Sequence, residues 1–185
     1  NVVYPGDAKH IVVGNPSRRP LIVFLPGTGT NPEDLSCILD AMSYEPGSGR
    51  RATIGLRYEF LNSNDGTRNA RCATTIDTAA CLKNQHEDAI YGGNQQPGLW
   101  QSVNPSDSIS GRLEHLLNYL HKTFPTEGWS TYLTNDMKIR WDRIYFSGHS
   151  QGGAHTAYLA RTLKLAGAAP ISAPQDSCIG CPAGQ

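Results

Sequence analysis

A serine between glycines, placed where an apolar run meets a helical pattern, is the residue with the clearest chemical potential in this chain. The segment RIYFS at 143–147 leads directly into GHSQGG at 148–153. This G-x-S-x-G spacing is typical of a sharp strand-to-helix turn, in which small residues let the backbone reverse and expose the serine hydroxyl. The amides that begin the helix face the same point and stabilise developing negative charge there. The motif predicts a nucleophile at Ser150.

With this turn, the chain resembles the α/β-hydrolase superfamily, in particular its esterases and lipases, whose turn commonly reads G-H-S-Q-G-G. A second matching element is LPGTGT at 25–30, where the family keeps its oxyanion loop, often written H-G-x; here Pro26 stands in the place of the His. The resemblance covers residues 21–174. It implies an α/β fold with a mostly parallel sheet flanked by helices. It also implies an oxyanion pocket formed by the backbone amides of Thr28 and Gln151.

The rest of a catalytic triad is harder to place. A serine hydroxyl needs a base, usually a His oriented by a carboxylate, and the family's chain order is Ser, acid, His. His155 is the one His after Ser150; at position +5 of the next helix it is expected to pack or lie on the helix surface. His149 is expected to shape the turn or pocket. Asp176 is the candidate acid, and the alternative is an ordinary loop aspartate.

The family pattern needs two further strands and a loop bearing a His after Asp176. We therefore expect a C-terminally incomplete hydrolase fold, completed by a C-terminal remainder or a second chain that brings the base. The alternative is a natural short form that kept the turn and lost activity.

Three functions follow from this reading. The leading one is a serine hydrolase that cleaves carboxylic esters, small or lipid-like, through an acyl-enzyme on Ser150. An acyltransferase shares that intermediate and differs only in what accepts the acyl group. The third is a catalytically inactive binding or interaction protein on the same scaffold.

Composition and spacing argue against other classes of partner. Sixteen Lys and Arg balance 16 Asp and Glu, for a formal net charge of +0. The chain therefore lacks the excess of positive charge that is typical of nucleic-acid-binding proteins. Apolar runs such as residues 21–25 are far shorter than the ~18 residues of a membrane span. H-E-x-x-H, G-x-G-x-x-G and G-x-x-x-x-G-K-[ST] are absent from the sequence, so neither a metal nor a cofactor is expected.

The cysteines indicate an oxidising compartment. Five Cys are many for a cytosolic chain of this size, and Cys72 and Cys81 flank a polar segment of the kind that a short disulfide closes. We predict that bond and a secreted or otherwise extracytoplasmic protein, which begins at Asn1 after processing. The pairing of Cys37, Cys178 and Cys181 stays open.

Hydrophobic periodicity predicts alternating strands and helices in one domain over residues 1–185. Strands are predicted at 11–13, 20–25, 51–58, 143–146 and 165–170, with 20–25 central. Helices are predicted after Pro32, near 81–91, from Ile109 to before Pro125, and at 154–165. The polar segment at about 59–104 is predicted to be an insertion, and such an excursion either shapes a substrate pocket or forms a solvated, disulfide-pinned loop.

Overall fold

The sheet is built around a strand whose five residues are all buried, Leu21–Leu25, as its continuous apolar run predicts. The computed structural model describes residues 2–3, 9–18, 20–47, 49–59, 72, 75–94 and 102–174. In chain order the strands are β1 (Val2–Val3), β2 (Lys9–Val13), β3 (Leu21–Leu25), β4 (Tyr44–Glu45), β5 (Gly49–Arg50), β6 (Thr53–Gly55), β7 (Ile144–His149) and β8 (Gly167–Ile171).

Strand β3 is central, as predicted. Within the described residues, six strands pair in the order β1-β2-β6-β3-β7-β8, and β4 pairs with β5 in a separate ribbon. Strands β6, β3, β7 and β8 run parallel, whereas β1 and β2 join antiparallel. The carboxyl ends of four neighbouring strands therefore meet at one edge of a mostly parallel, mixed sheet, and residues that follow those strands are brought together there.

Helices cover both faces of this sheet, which makes the fold α/β as predicted. They are α1 (Ser36–Ser43), α2 (Thr78–Tyr91), α3 (Ile109–Thr123) and α4 (Gln151–Thr162). Leu21, Val23 and Leu25 share a buried cluster with α3, whereas Phe24 packs with Leu39 of α1. The alternation follows from the two-residue period of a strand. Apolar contacts on both faces hold β3 in place.

Short polar residues cap the helices α2 and α3. The Ser108 side chain accepts a hydrogen bond from the Gly111 amide at 3.1 Å and so caps α3, the helix predicted from Ile109. Asp77 does the same for α2, accepting from the Ala80 amide at 2.9 Å. These bonds satisfy amides that have no partner within the first turn of a helix.

Several predicted boundaries were wrong, and three of them matter for the site. The strand expected over 51–58 is regular only at Thr53–Gly55, where it has partners on both sides, and Arg51 makes an isolated bridge to Asn15. The helix expected from Pro32 opens with a 3-10 turn, Pro32–Leu35, before α1 begins. Helix α4 starts at Gln151 rather than 154, because the two glycines that read as a turn already belong to the helix.

The predicted disulfide between Cys72 and Cys81 is present, and both residues are buried, at 0% and 4% exposure. It closes a short loop with a sequence separation of 9 and anchors that loop to α2. Cys37 is free and exposed. Cys178 and Cys181 lie outside the described residues, as do residues 60–71, 73–74 and 95–101 of the predicted insertion.

Replacing both Cys72 and Cys81 by Ser is expected to lower the free energy of unfolding by about 2 to 3 kcal/mol, because the unfolded chain regains the entropy of a short loop. Urea unfolding measures this. Cys37→Ser is the matched control, since it removes an exposed thiol and no cross-link, and it should leave the midpoint unchanged. A double variant as stable as the parent chain would contradict the prediction.

In the part of the chain that the structure describes, no helix combines the length and the apolar character needed to cross a membrane.

Candidate active site

Ser150 lies at the turn between β7 and α4, with a backbone conformation that side chains rarely adopt. Its φ is 53° and its ψ is −118°, a region that costs a residue with a Cβ of order 1–3 kcal/mol. Two hydrogen bonds hold it there: its amide donates to the Ile171 carbonyl at 3.0 Å, and its carbonyl accepts from the Ala154 amide at 3.0 Å. The end of β8 and the first turn of α4 thus hold the Ser150 backbone in this strained conformation.

Each glycine around Ser150 is required by close backbone packing. A Cβ at Gly148 would clash with the Gly152 backbone, and one at Gly152 would clash with the Leu25 carbonyl and lie 2.6 Å from the Pro26 oxygen. At Gly153 a Cβ would come within 2.7 Å of the Ala173 Cβ. The G-x-S-x-G-G spacing is therefore a packing requirement, which lets the turn sit directly on the end of β3.

The residues after β3 meet the serine turn at this edge. We call residues 26–30 the 26–30 loop. A Cβ placed on Gly27 would lie 3.3 Å from the Ser150 Cβ and 3.1 Å from His149 Nδ1. The Thr30 amide donates to the Gly27 carbonyl at 3.1 Å and closes the loop into a turn. The two motifs singled out in the sequence are thus in van der Waals contact.

Thr28 and Gln151 are joined by their side chains. The Thr28 hydroxyl donates to Gln151 Oε1 at 2.8 Å, so the 26–30 loop is tied to the first residue of α4. Sequence reasoning considered only the backbone amides of these two residues and missed this bond. Their role as oxyanion donors stays a prediction.

Tyr58 is a residue of this edge that sequence reasoning missed. Its hydroxyl donates to the Pro26 carbonyl at 2.8 Å, and its side chain is only 1% exposed. Burial raises the pKa of Tyr58 far above its ordinary value, so the hydroxyl keeps its proton and remains a donor. Its position just after β6, the strand parallel to β3, is the signal that could have pointed to it.

His155 is buried away from solvent, as expected for a packing residue of α4. Its exposure is 0%, and its Nδ1 lies 3.0 Å from Nδ1 of His86 on α2. Its ring meets the Tyr58 ring edge-on, with centroids 5.7 Å apart. His149, in contrast, is exposed and lies beside Gly27; its role in shaping the turn stays a prediction.

The predicted acid falls outside this description, because Asp176 lies outside the described residues. Among the described residues, no imidazole is hydrogen-bonded to the Ser150 hydroxyl. The described part of this edge therefore consists of the strained Ser150, the start of α4 and the 26–30 loop.

A third buried imidazole, His10 on β2, lies near two guanidinium groups. It is 0% exposed, and its Nδ1 accepts a hydrogen bond from the Arg57 amide at 3.0 Å. Burial, followed by the positive charges of Arg112 and Arg57, lowers the pKa of His10 from the ordinary 6.5 to about 4. His10 is therefore neutral in the folded chain at pH 7.

The stability of the fold is expected to fall as the pH is lowered from about 6.5 to about 4. In this window the unfolded chain protonates its His10 and the folded chain does not, because the folded pKa is the lower one. The loss contributed by His10 is roughly 3 kcal/mol at the acid end. Urea unfolding across this window measures it. His10→Asn keeps an acceptor for the Arg57 amide without titrating, and it should flatten the dependence; parallel curves for the two chains would contradict the prediction.

The described residues contain no group of three or more His, Cys, Asp or Glu that could hold a metal ion. A scan against protein-family models and a search of curated proteins found no match to this chain.

Proposed function

We propose that this chain carries the nucleophile and oxyanion pocket of an α/β-hydrolase that cleaves carboxylic esters. The observation that carries the proposal is the strained backbone of Ser150, φ 53°, packed directly against Gly27. A side chain held in this conformation at a strand-to-helix turn is what a nucleophile elbow requires. Because such strain is unfavourable for folding alone, it supports a functional role.

In the proposed reaction the Ser150 oxygen attacks the ester carbonyl carbon and its proton passes to a base. The carbonyl oxygen becomes an anion, stabilised by the amides of Thr28 and Gln151. When the intermediate collapses, the bond to the alkoxy oxygen breaks and the alcohol leaves with the proton held by the base. Water then hydrolyses the acyl-enzyme by the same steps and regenerates the serine.

The proposal places the base beyond the described residues, on a segment or second chain that follows β8, with Asp176 as the orienting acid. Three imidazoles within the described residues are poor candidates for the base. His155 and His86 are engaged with each other inside the protein, and His149 lies beside Gly27. Strand β8 is the outermost described strand on this side of the sheet, which is where further strands would be added.

The proposed setting is an oxidising, extracytoplasmic compartment. The buried disulfide between Cys72 and Cys81 supports it, since such bonds persist where thiols are not kept reduced. The proposed substrate is a small or lipid-like ester. An acyltransferase would share every step up to the acyl-enzyme.

A catalytically inactive binding protein is the second candidate. It is favoured by one observation: among the described residues, no imidazole is hydrogen-bonded to the Ser150 hydroxyl. On this reading the 26–30 loop and the serine turn form a recognition surface, and the strain at Ser150 has no catalytic use.

A fluorophosphonate probe separates the two candidates. The probe forms a covalent bond with a serine oxygen only where a base and an oxyanion pocket activate it. We expect the full-length natural product to be labelled, with the modified peptide mapping to Ser150 by mass spectrometry. Heat-denatured protein is the control for non-specific labelling. No labelling, or labelling elsewhere, would favour the binding protein, and intact mass would show whether the natural product exceeds 20.1 kDa.

A further inference from the structure

We propose that Tyr58 is a positioning residue that holds the 26–30 loop in place beside Ser150. This inference rests on the proposed function of the site and names a group that the sequence motifs do not include. Strands β6, β3 and β7 are parallel neighbours, and Tyr58, Pro26 and Ser150 follow their respective carboxyl ends. Three successive strand ends thus place a support, a loop and a nucleophile side by side.

The contact between Tyr58 and Pro26 is a buried hydrogen bond. The hydroxyl donates to the carbonyl at 2.8 Å, and Pro26 is buried as well. A buried carbonyl without a donor is unfavourable, so without the hydroxyl Pro26 would shift toward another donor or toward water. The bond therefore fixes the direction of the peptide that joins Pro26 to Gly27.

On its other side the same carbonyl has almost no room. A Cβ on Gly152 would lie 2.6 Å from the Pro26 oxygen, so the carbonyl is held between the Tyr58 hydroxyl and the α4 backbone. A shift of this peptide also moves Gly27 and Thr28, because they follow directly in the chain. The Thr28 amide, the proposed donor to the oxyanion, is therefore positioned by Tyr58.

The Tyr58 ring is itself supported directly by α4 and, through His155, by α2, the helix of the predicted insertion. The His155 ring packs edge-on against it, and His155 Nδ1 lies 3.0 Å from His86 Nδ1. His86 also stacks on Tyr158, with ring centroids 5.0 Å apart. These contacts link α2 to α4 and fix the position from which the hydroxyl reaches Pro26.

The chain offers a closely matched control, Tyr132. It is likewise fully buried, and its hydroxyl donates to the Pro16 carbonyl at 2.7 Å and to the Arg18 carbonyl at 3.1 Å. Those carbonyls precede β3, at the opposite end of the strand from Pro26. Tyr132→Phe therefore removes the same chemical group from the same core without touching the site.

The test compares Tyr58→Phe and Tyr132→Phe in the full-length natural product, with p-nitrophenyl butyrate and its thionoester, in which sulfur replaces the carbonyl oxygen. Sulfur is larger and accepts hydrogen bonds weakly, so the thionoester gains little from well-placed oxyanion donors. Tyr58→Phe is expected to lower kcat/KM for the oxygen ester by about 10- to 100-fold, mainly through kcat, and to affect the thionoester far less. Tyr132→Phe is expected to change neither. Equal losses on both esters, or equal losses in both variants, would overturn the proposal.

Hydrogen exchange of the peptide that covers the 26–30 loop provides a readout independent of turnover. The Thr30 amide is protected by its bond to the Gly27 carbonyl. Faster exchange in Tyr58→Phe than in Tyr132→Phe supports the role of Tyr58, and unchanged exchange contradicts it. If the wild-type chain turns over neither ester, the proposed hydrolase fails, and the exchange result alone decides whether Tyr58 holds the loop.

Discussion

Ser150→Ala is expected to lower ester turnover by the full-length protein by about 10⁴- to 10⁶-fold and to abolish fluorophosphonate labelling. The reason is that nucleophile, base and acid act as a unit, so removing the nucleophile costs as much as removing all three. The fold should persist, because the Ser150 hydroxyl makes no hydrogen bond within the described residues. Turnover of p-nitrophenyl butyrate, with circular dichroism as a check on folding, measures both expectations.

Two further variants separate chemistry from structure at this turn. Ser150→Gly removes the same hydroxyl but relieves the positive φ, so it should be more stable than Ser150→Ala by about 1 kcal/mol and equally inactive. Ser147→Ala removes a neighbouring buried hydroxyl, which donates to the Ala169 carbonyl at 2.9 Å, and it should retain turnover. Ester turnover by Ser150→Ala close to that of the parent protein would contradict the proposal that this chain is a serine hydrolase.

Gly152→Ala is expected to destabilise the fold by about 3 kcal/mol or more. The added methyl group has no space, since it clashes with the Leu25 carbonyl and approaches the Pro26 oxygen to 2.6 Å. Because those carbonyls belong to the buried end of β3, the chain must separate α4 from the 26–30 loop. Any protein that stays folded should therefore lose more than about 100-fold in turnover.

The matched control is Gly47→Ala. Gly47 has a positive φ of +78°, but no atom lies within 4 Å of an added Cβ. Gly47→Ala should lower the free energy of unfolding by only about 1 kcal/mol, through backbone strain, and leave turnover unchanged. Thermal unfolding compares the two. If Gly152→Ala were as mild as Gly47→Ala, the close contact between α4 and the end of β3 would be disproved.

Sequence patterns predicted the parts of the fold that follow from local rules. The apolar run of β3 predicted a strand buried on both faces, and hydrophobic periodicity predicted α3 from Ile109. The boundaries of the strands depended on pairing partners that lie far away in the sequence. Residues 53–55 form a strand because β2 and β3 lie on either side of them, and no local pattern near Arg51 contains that information.

The serine turn and the 26–30 loop could be predicted because each is a short motif with a backbone requirement. Tyr58 could not, because its role arises only from the pairing of β6 with β3, which brings its hydroxyl to Pro26. The same holds for the contact between His155 and His86, residues 69 positions apart in the sequence. Chain positions that meet only through topology leave no signal in a single sequence.

The hydrogen bond from the Ser150 amide to the Ile171 carbonyl sets an order of events during synthesis. Ser150 emerges from the ribosome before β8, so the nascent chain exposes the serine without the partner that holds its backbone. Only when β8 pairs with β7 does that carbonyl reach the serine amide. The last described strand thus completes the support of the Ser150 backbone, and a chain arrested or cut before Ile171 lacks this hydrogen bond.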